Sequence, residues 1–392
     1  MPLNYLEVQS QFSHFVEAHR QDFARRKTLL GTALDCLQEA AENPDQVKAL
    51  LILEKQKNAK LRCAGPSQEH LADAYSLATP KVAPWLLIGV DGSQITPDPH
   101  AALAFGLINT GVFKMHTLGN ESPQQSSISK LLYQDQESGS LRLPGEEEVN
   151  LIRDLEEREV LVQLTAQSQE AVIALTDGPL ALFREPEKKS PWVTRFETLM
   201  AEYQQLPHPN RIIAGFVDRP RSNLVIQTLN LYLQAKQKSN PSVNQPTLDG
   251  LQDSDLFQPL LPPGSRSAVF TLHSPSALFF QDQLAIHFFY FNVGQTHKPA
   301  LVRIEIPAWV AENRYLLDSL QQVLLDQCRI LGSRPYPYIL HRAHEVAVVH
   351  QDEKTALEDM LMKQWLNSKL PYVDLSNKQF LKNLTGSRRR IS

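Results

Sequence analysis

The 392-residue sequence contains few cysteines and no long hydrophobic run. Its three cysteines, Cys36, Cys63 and Cys328, are widely separated and form no CxxC pair. We therefore expect buried thiols rather than a disulfide framework or a structural zinc site. The longest apolar runs, such as Trp85–Val90, have the length of a strand and are too short for a membrane span. The N-terminal segment is polar where a secretory signal would be apolar, so we expect a cytoplasmic protein that does not bind membranes.

The sequence also lacks a basic excess and the common nucleotide-binding motifs. Lys and Arg total 39 against 43 Asp and Glu, giving a net charge of −4, whereas nucleic-acid-binding domains are often basic. This balance fits a nucleic-acid enzyme only if carboxylates cluster around metal ions and phosphate contacts are local. The basic run Arg388–Arg390 fits a solvated chain end as well as a DNA contact. The sequence contains no GxxxxGK[ST], GxGxxG or GxSxG motif, which argues against P-loop ATPase, dinucleotide-binding and α/β-hydrolase functions.

The order of apolar patterns predicts an α/β fold in which helices flank a mixed sheet. Residues 3–60 have helical periodicity interrupted at Asn43-Pro44, which predicts a helical N-terminal extension over residues 1–80. Buried strands and amphipathic helices follow in a second domain over residues 81–392. Within it, residues 237–267 are rich in Pro, Ser, Asn and Gln, which predicts a long loop or lid.

Two acids that follow apolar strands are the sharpest candidates for chemistry. Asp91 follows WLLIGV, Asp177 follows VIALT, and a glycine comes directly after each acid. We expect each strand to end at its acid, because Asp-Gly is a common turn dipeptide and open α/β sheets bind ligands at the carboxyl ends of strands. Two adjacent carboxylates repel each other unless a cation lies between them. The pair therefore predicts a metal site, although either motif alone also fits a structural turn.

Two further segments offer metal ligands or proton carriers. The predicted amphipathic helix at residues 146–170 contains Glu156, Glu157 and Glu159, and periodicity alone does not choose among them. Near the C-terminus, an HxxHE sequence begins at His341. This spacing differs from the HExxH and HxxEH motifs of zinc proteases. A histidine of this segment suits a metal ligand, a phosphate contact or a proton carrier, and equally an ordinary surface residue.

Taken in order, these motifs resemble the NurA nuclease domain over about residues 85–350. The matching segments are VDGSQ (Val90–Gln94), RDLEE (Arg153–Glu157), LTDGPL (Leu175–Leu180), AGFVDRPRS (Ala214–Ser222), RIEIP (Arg303–Pro307) and YPYILHRAHEVA (Tyr336–Ala347). VDGS and DGPL are individually weak, whereas their order together with the C-terminal segment is more specific. The resemblance implies an RNase H-like core that degrades DNA ends during double-strand break repair.

The resemblance also implies which residues act. Its catalytic positions fall on Asp91, Glu157, Asp177, Tyr336 and His344, and all of these except the tyrosine are implied metal ligands. The glutamate that precedes Glu157 remains an alternative to it. The implied cofactors are two Mn²⁺ or Mg²⁺ ions. The implied partners are DNA ends, a second copy of the chain and a HerA-like hexameric helicase–translocase.

One position departs from the family pattern. Asp218 stands where a lysine is expected, so Arg219 and Arg221 become the candidates for contacts with DNA phosphates. The implied activity is that of a 5′–3′ DNA exonuclease with single-strand endonuclease activity. Two alternatives stay open: a catalytically inactive RNase H-like scaffold or regulatory subunit of a DNA translocase, and a metal-dependent hydrolase that acts on RNA.

Overall fold

The computed structural model describes residues 3–77, 83–98, 103–133, 143–182, 192–239, 247–295 and 297–368, together with residues 101 and 190. The basic run Arg388–Arg390 lies outside these residues. Two compact units form: one from Met1–Pro80 and Phe216–Glu312, the other from Lys81–Gly215 and Asn313–Ser392. We call them the first and second units. The predicted division had a single boundary at residue 80. The structure keeps that boundary, but Phe216–Glu312 also belongs to the unit of the N-terminal helices.

The described residues form eleven strands and eleven α-helices. The strands are β1 (Cys63–Pro66), β2 (Tyr75–Ser76), β3 (Leu86–Ile95), β4 (Gly106–His116), β5 (Gln124–Leu132), β6 (Val172–Asp177), β7 (Arg211–Val217), β8 (Ser265–Arg266), β9 (Phe270–His273), β10 (Ile286–Asn292) and β11 (Leu301–Pro307). The helices are α1 (Tyr5–Ser10), α2 (Phe12–Glu42), α3 (Pro44–Lys57), α4 (Glu146–Gln167), α5 (Val193–Tyr203), α6 (Leu224–Ser239), α7 (Asp253–Phe257), α8 (Ala308–Ala311), α9 (Arg314–Ile330), α10 (Tyr338–Ala347) and α11 (Gln351–Asn367). Among the described residues, no helix combines the length and the apolar character needed to cross a membrane.

The first unit combines the N-terminal helices with one group of strands. Helices α2 and α3 both pack against α6, and α3 and α6 pack against β1. Four strands lie in the order β1-β9-β10-β11 with antiparallel neighbours, and β8 pairs with both β2 and β10. The predicted helical character of residues 3–60 and its break at Asn43-Pro44 are confirmed, whereas β1 and β2 lie in the last part of the predicted helical extension. All three cysteines are buried and unbridged, as predicted.

The segment predicted as a loop at 237–267 is well packed in its described part. It contains α7 and β8, and Asp253 at the start of α7 is fully buried. The Asp253 carboxylate accepts hydrogen bonds from the Tyr290 hydroxyl at 2.6 Å and from the backbone N–H of Ile226 at 2.9 Å. Its apolar residues, including Leu248 and Phe257, are buried as well. The Pro- and Ser-rich composition therefore misled the prediction of a loop. A few buried contacts, such as those of Asp253, hold the segment in place despite its local preference for a loop.

The second unit contains a mixed five-stranded sheet in the order β7-β6-β3-β4-β5. Strands β3, β4 and β5 are antiparallel neighbours, and β6 runs parallel to β3 after a crossover through α4. An added side chain would meet α4 at Gly92 and α10 at Gly89. Because residues an odd number apart on a strand point to opposite faces, the two helices cover opposite faces of β3. The predicted mixed sheet flanked by helices is thus confirmed.

Helix α10 lies unusually close to this sheet at two glycines. An ideal Cβ on Gly111 would lie 2.5 Å from both the Ala343 carbonyl oxygen and the Ala347 nitrogen. A Cβ on Gly89 would lie 2.7 Å from the carbonyl oxygen of Ile339. Real Cβ atoms do not approach backbone atoms so closely, so glycine is required here for the contact between helix and strand.

Polar side chains from three adjacent strands hold the C-terminal end of α10. The Ser93 hydroxyl and the Asn109 amide both donate to the Ala347 carbonyl oxygen, at 2.5 and 2.8 Å. The Ser129 hydroxyl in turn donates to the Asn109 side-chain oxygen at 2.7 Å. These bonds satisfy a helix-end carbonyl that has no partner within the helix, and they fix the position of α10 on the sheet.

We expect Gly111→Ala to lower the free energy of unfolding by about 1–3 kcal/mol, the usual cost of overpacking. The measurement is urea denaturation followed by far-UV circular dichroism. Gly31→Ala is the control, because Gly31 lies in α2 with nothing within 4 Å of its Cβ position and alanine favours a helix by roughly 0.5–1 kcal/mol. Wild-type stability in Gly111→Ala would show that α10 can move away from the sheet at little cost.

Candidate active site

A cleft of about 570 Å³ opens in the second unit where β6 ends and β3 continues beyond it. Strands β3 and β6 are paired up to Val90 and Thr176, after which only β4 remains beside β3. The cleft lining combines four carboxylates, three basic side chains and three other residues, namely Asp91, Asp154, Glu157, Asp177, Arg153, Arg158, His344, Gly92, Asn150 and Pro179. We call this feature the acidic cleft.

The structure corrects the predicted strand end at Asp91. Strand β3 continues to Ile95 without a turn, and Asp91 pairs with Gly111 of β4. The glycine after the acid has a different purpose, because an ideal Cβ on Gly92 would lie 2.5 Å from Oε1 of Glu157. Glycine here leaves room for a glutamate that approaches from α4. The Asp-Gly dipeptide at this position therefore marks a close contact rather than a turn.

The second acid ends its strand as predicted. Asp177 is the last residue of β6, and Gly178 has a φ of +93°, which suits glycine. Strand β7 supports the turn from behind, since a Cβ on Gly215 would lie 2.6 Å from the Gly178 carbonyl oxygen. Asp177 is exposed and Asp91 is half-buried. Both acids directly follow a pair of residues in register between β3 and β6, so they lie at the same level on adjacent strands.

Glu157 supplies a buried carboxylate to the acidic cleft. It is 7% exposed, and burial raises the pKa of its carboxyl from 4.5 to about 8. The neighbouring guanidinium groups of Arg158 and Arg153 lower this pKa, and the Asp91 carboxylate raises it further. Desolvation outweighs the two arginines, so Glu157 is poised to take either a proton or a cation.

Glu156, the rival ligand in the sequence, points elsewhere. Its carboxylate accepts a hydrogen bond from Arg195 of α5, and Glu159 binds the same guanidinium with Nε and Oε1 2.5 Å apart. Lys130 lies 3.8 Å from Glu156. These ion pairs hold Glu156 and Glu159 against neighbouring elements, whereas Glu157 lies on the face of α4 that lines the cleft.

His344 reaches the acidic cleft from α10. Its Nδ1 lies 2.7 Å from Oδ2 of Asp91, and 62% of its side chain is exposed, against 16% for Asp91. The other members of the HxxHE sequence, His341 and Glu345, form a separate ion pair with a 3.6 Å separation and do not line the cleft. The close packing of α10 on the sheet thus selects one histidine of the segment for the site.

Four polar residues of the cleft were not predicted from the sequence, namely Asn150, Arg153, Asp154 and Arg158. With Glu157 they recur along α4 at intervals of three and four residues, which places them on one face of the helix. Arg153 Nε lies 3.2 Å from Glu157 Oε1, and Arg153 Nη2 lies 3.2 Å from Asp154 Oδ1. This spacing of polar residues is a signal present in the sequence, and it distinguishes Glu157 from Glu156 and Glu159.

Three predicted site residues are not among those that line the cleft. Tyr336 is half-buried in the segment just before α10. Arg219 and Arg221 are exposed after β7, in the first unit. Arg219 has a φ of +45°, and its Nε lies 3.8 Å from Oδ2 of Asp218. The structure therefore brings together Asp91, Asp177, Glu157 and His344, and it leaves the roles of these three residues as predictions.

The carboxylates of the cleft are paired with basic side chains. Asp91 pairs with His344, and Glu157 lies beside Arg153. As they stand, no three His, Cys, Asp or Glu side chains in the described part of the chain are arranged to hold a metal ion. The donor types nevertheless suit Mn²⁺ or Mg²⁺, because both ions prefer carboxylate oxygens. A divalent ion would take the place of the side-chain cations that now neutralise this charge.

Comparison with known proteins identifies the relatives of this chain. The NurA domain family matches residues 86–349, and no curated protein sequence matches the chain. The NurA nuclease from Sulfolobus solfataricus has a similar structure, with a TM-score of 0.50, 11% sequence identity, and coverage of 76% of this chain and 88% of that chain. The catalytic domain of human endonuclease V aligns with a TM-score of 0.31 and 10% identity, over 81% of this chain and 98% of that chain.

The family match includes every strand and helix that contributes to the acidic cleft. It extends from the start of β3 to just beyond α10. The structural likeness at 11% identity adds that the fold is shared with the Sulfolobus NurA nuclease. Because the match covers more than half of the sequence, this protein belongs to the NurA domain family.

Proposed function

We propose that this protein is a metal-dependent nuclease that cleaves DNA in the acidic cleft. Membership of the NurA family and the fold shared with the Sulfolobus NurA nuclease support the nuclease activity. The convergence of Asp91 from β3, Glu157 from α4 and Asp177 from β6 on one cleft supports metal dependence. This constellation is the observation that carries the proposal.

Asp91, Glu157 and Asp177 are the proposed ligands of one or two Mn²⁺ or Mg²⁺ ions. The three carboxylates offer up to six oxygen donors, and the buried Glu157 is costly as an unpaired anion. Asp154 adds a fourth carboxylate at the edge of the cleft. When bound, the divalent ions would acidify a water molecule and stabilise the leaving oxygen of the phosphodiester.

Two basic residues are placed to act on the substrate. The His344 ring is held by Asp91 and is otherwise exposed, so it is positioned to bind a metal ion or to give a proton to the departing oxygen. The Arg153 side chain is 32% exposed and can turn from Glu157 towards a phosphate once a metal ion neutralises the glutamate. The chain thus exchanges internal ion pairs for contacts with metal and substrate.

We extend the proposal with the finer features that the family resemblance implies. These are 5′–3′ exonuclease and single-strand endonuclease activities, a role in double-strand break processing and a HerA-like translocase partner. Arg219 and Arg221 are the proposed phosphate contacts, and Tyr336 is proposed to position the substrate. The alternatives of an inactive scaffold and of an RNA hydrolase lead to different results in the cleavage assay below.

The N-terminal helices offer a surface for the proposed homodimer. Six large apolar side chains of α1 and α2 are more than half exposed: Tyr5, Leu6, Phe12, Phe15, Val16 and Phe23. A patch of this kind on one helical segment is typical of an interaction surface. We propose that a second copy of the chain covers this surface, which we call the N-terminal apolar face.

Asp91→Ala should reduce Mn²⁺-dependent cleavage of end-labelled linear and single-stranded DNA by more than about 100-fold. Replacing a group that only orients a metal ligand typically costs up to about 100-fold, and a ligand itself should cost more. The reason is the loss of the central ligand, and circular dichroism should show an intact fold. Glu157→Gln and Glu156→Gln form a matched pair on α4. The first should lose activity and the second should retain it, because Glu156 pairs with Arg195 outside the cleft.

Three outcomes of this assay would contradict the proposal. Cleavage that persists in EDTA would exclude metal dependence. Cleavage by Asp91→Ala at the wild-type rate would place the active site elsewhere. A folded wild-type protein that cleaves no DNA with Mn²⁺ or Mg²⁺ would favour the scaffold, unless RNA is cleaved under the same conditions.

The pKa of Glu157 predicts a pH-dependent stability in EDTA. Because this pKa rises from 4.5 to about 8 on folding, the folded state binds more protons than the unfolded state between these pH values. The stability contributed by the protonated carboxyl is full below pH 4.5 and is lost as the pH rises through 8. The melting temperature of Glu157→Gln should therefore match that of wild type near pH 4.5 and exceed it increasingly towards pH 8.

Addition of Mn²⁺ at pH 8 should reverse this order, because only the wild-type carboxylate can bind the ion. A difference in melting temperature that stays constant from pH 4.5 to pH 8 would show that Glu157 is not protonated in the folded protein.

Phe15→Glu combined with Phe23→Glu should convert the dimer into a monomer, since charges on the N-terminal apolar face oppose its burial. Size-exclusion chromatography with light scattering measures the mass directly. Phe279→Glu is the control, because Phe279 is also half-exposed but lies in the short 3₁₀ helix Ser276–Phe279. A dimer that survives the double substitution would move the interface to another surface.

A further inference from the structure

Arg158 is a buried cation next to the acidic cleft. It is only 4% exposed. One of its terminal nitrogens donates a hydrogen bond to the Thr176 hydroxyl, and the other donates to the Pro179 carbonyl oxygen at 2.7 Å. These two acceptors lie on either side of Asp177 in the chain. One planar guanidinium therefore holds both ends of the turn that carries this aspartate.

The turn is held from two directions. Close approach of Gly215 to the Gly178 carbonyl oxygen fixes it from the side of β7. Arg158 fixes it from the side of α4, the helix that also carries Glu157. Asp177 lies between these contacts, so they hold the backbone from which its carboxylate projects.

Stability alone is a poor explanation for an arginine at this position. Burial of a guanidinium is costly unless its charge is well paired, and the hydrogen-bond acceptors of Arg158 are neutral. Among the described residues, its nearest carboxylate oxygen in an ion pair is Oε2 of Glu157, at 3.8 Å, and its buried Nε has no hydrogen-bond partner. An apolar side chain of similar length would fill this space at lower cost, so the forked geometry needs another reason.

We propose that Arg158 is a positioning residue that sets the Asp177 carboxylate opposite Glu157 so that both can bind the same metal ion. The inference rests on the proposed nuclease function and adds a residue that touches neither metal nor substrate. Groups that orient metal ligands typically change metal affinity or activity by 10- to 100-fold when they are replaced. Arg158 meets this description through the turn rather than through the ligand itself.

Two substitutions separate geometry from charge. Arg158→Lys keeps the positive charge but loses the planar fork that reaches both acceptors. Thr176→Val keeps the size of the side chain and leaves Arg158 in place, but it removes one acceptor. We expect both variants to bind Mn²⁺ about 10- to 100-fold more weakly than wild type. The measurement is titration of the folded full-length chain with Mn²⁺, in which electron paramagnetic resonance reports the free ion.

Two further readouts distinguish positioning from a purely structural role. Both variants should bind a single-stranded oligonucleotide in EDTA with wild-type affinity, because the DNA surface is unchanged. Their cleavage should recover towards the wild-type rate when Mn²⁺ is raised in proportion to the lost affinity. Arg195→Lys is the matched control, since Arg195 contacts Glu156 and Glu159 on another part of α4, and it should bind Mn²⁺ as wild type does.

The outcomes also separate this inference from the proposed function. Wild-type Mn²⁺ affinity in folded Arg158→Lys and Thr176→Val, together with binding that is lost in Asp91→Ala, would contradict only the positioning role. If wild type binds no Mn²⁺, or if Asp91→Ala binds it equally well, the proposed metal site is wrong and the inference fails with it. If Arg158→Lys does not fold, Thr176→Val decides the question by itself.

Discussion

Negative charge concentrated beside the end of β6 is the constraint on which the second unit depends. Four carboxylates line one cleft, and their mutual repulsion must be offset within the protein. The chain meets this need by interleaving basic groups, with Arg153 and Arg158 on the same helix face as Glu157 and with His344 against Asp91. In the proposed metal site, divalent ions would take the places that Arg153 and His344 now hold beside Glu157 and Asp91.

Close contact between backbone segments is what brings these charges together. Gly92 admits Glu157, whereas Gly89 and Gly111 admit α10 with His344. The first unit shows a different solution, in which the buried Asp253 ties α7 to the N-terminal end of α6 and to Tyr290. In both units, a few buried polar groups decide where a segment of weak local preference lies.

The sequence predicted most of the fold because hydrophobic periodicity is a local property. The strands before Asp91 and Asp177 and the amphipathic helix α4 were found in this way. The end of β3 was predicted wrongly, because an Asp-Gly dipeptide occurs both in turns and in closely packed strands. Only the contact between Gly92 and Glu157 distinguishes the two cases, and that contact depends on tertiary packing.

The sequence predicted three acids and the histidine of the cleft, but not Asp154 or the two arginines. Asp91 and Asp177 stand out because each follows an apolar run, whereas Arg153 and Arg158 look like ordinary residues of a charged helix. Glu156 pairs outside the cleft with Arg195, which lies 39 residues after it in the sequence. Helical periodicity relates only residues within one helix. It therefore cannot predict the ion pair between Glu156 of α4 and Arg195 of α5.

The placement of the acids on the two faces of β3 has a consequence for when the site exists. Asp91 faces α10, and Glu157 arrives with α4 on the opposite face. A chain in which either helix has yet to dock holds an incomplete set of these side chains. The full set of cleft side chains is therefore assembled only in the finished fold.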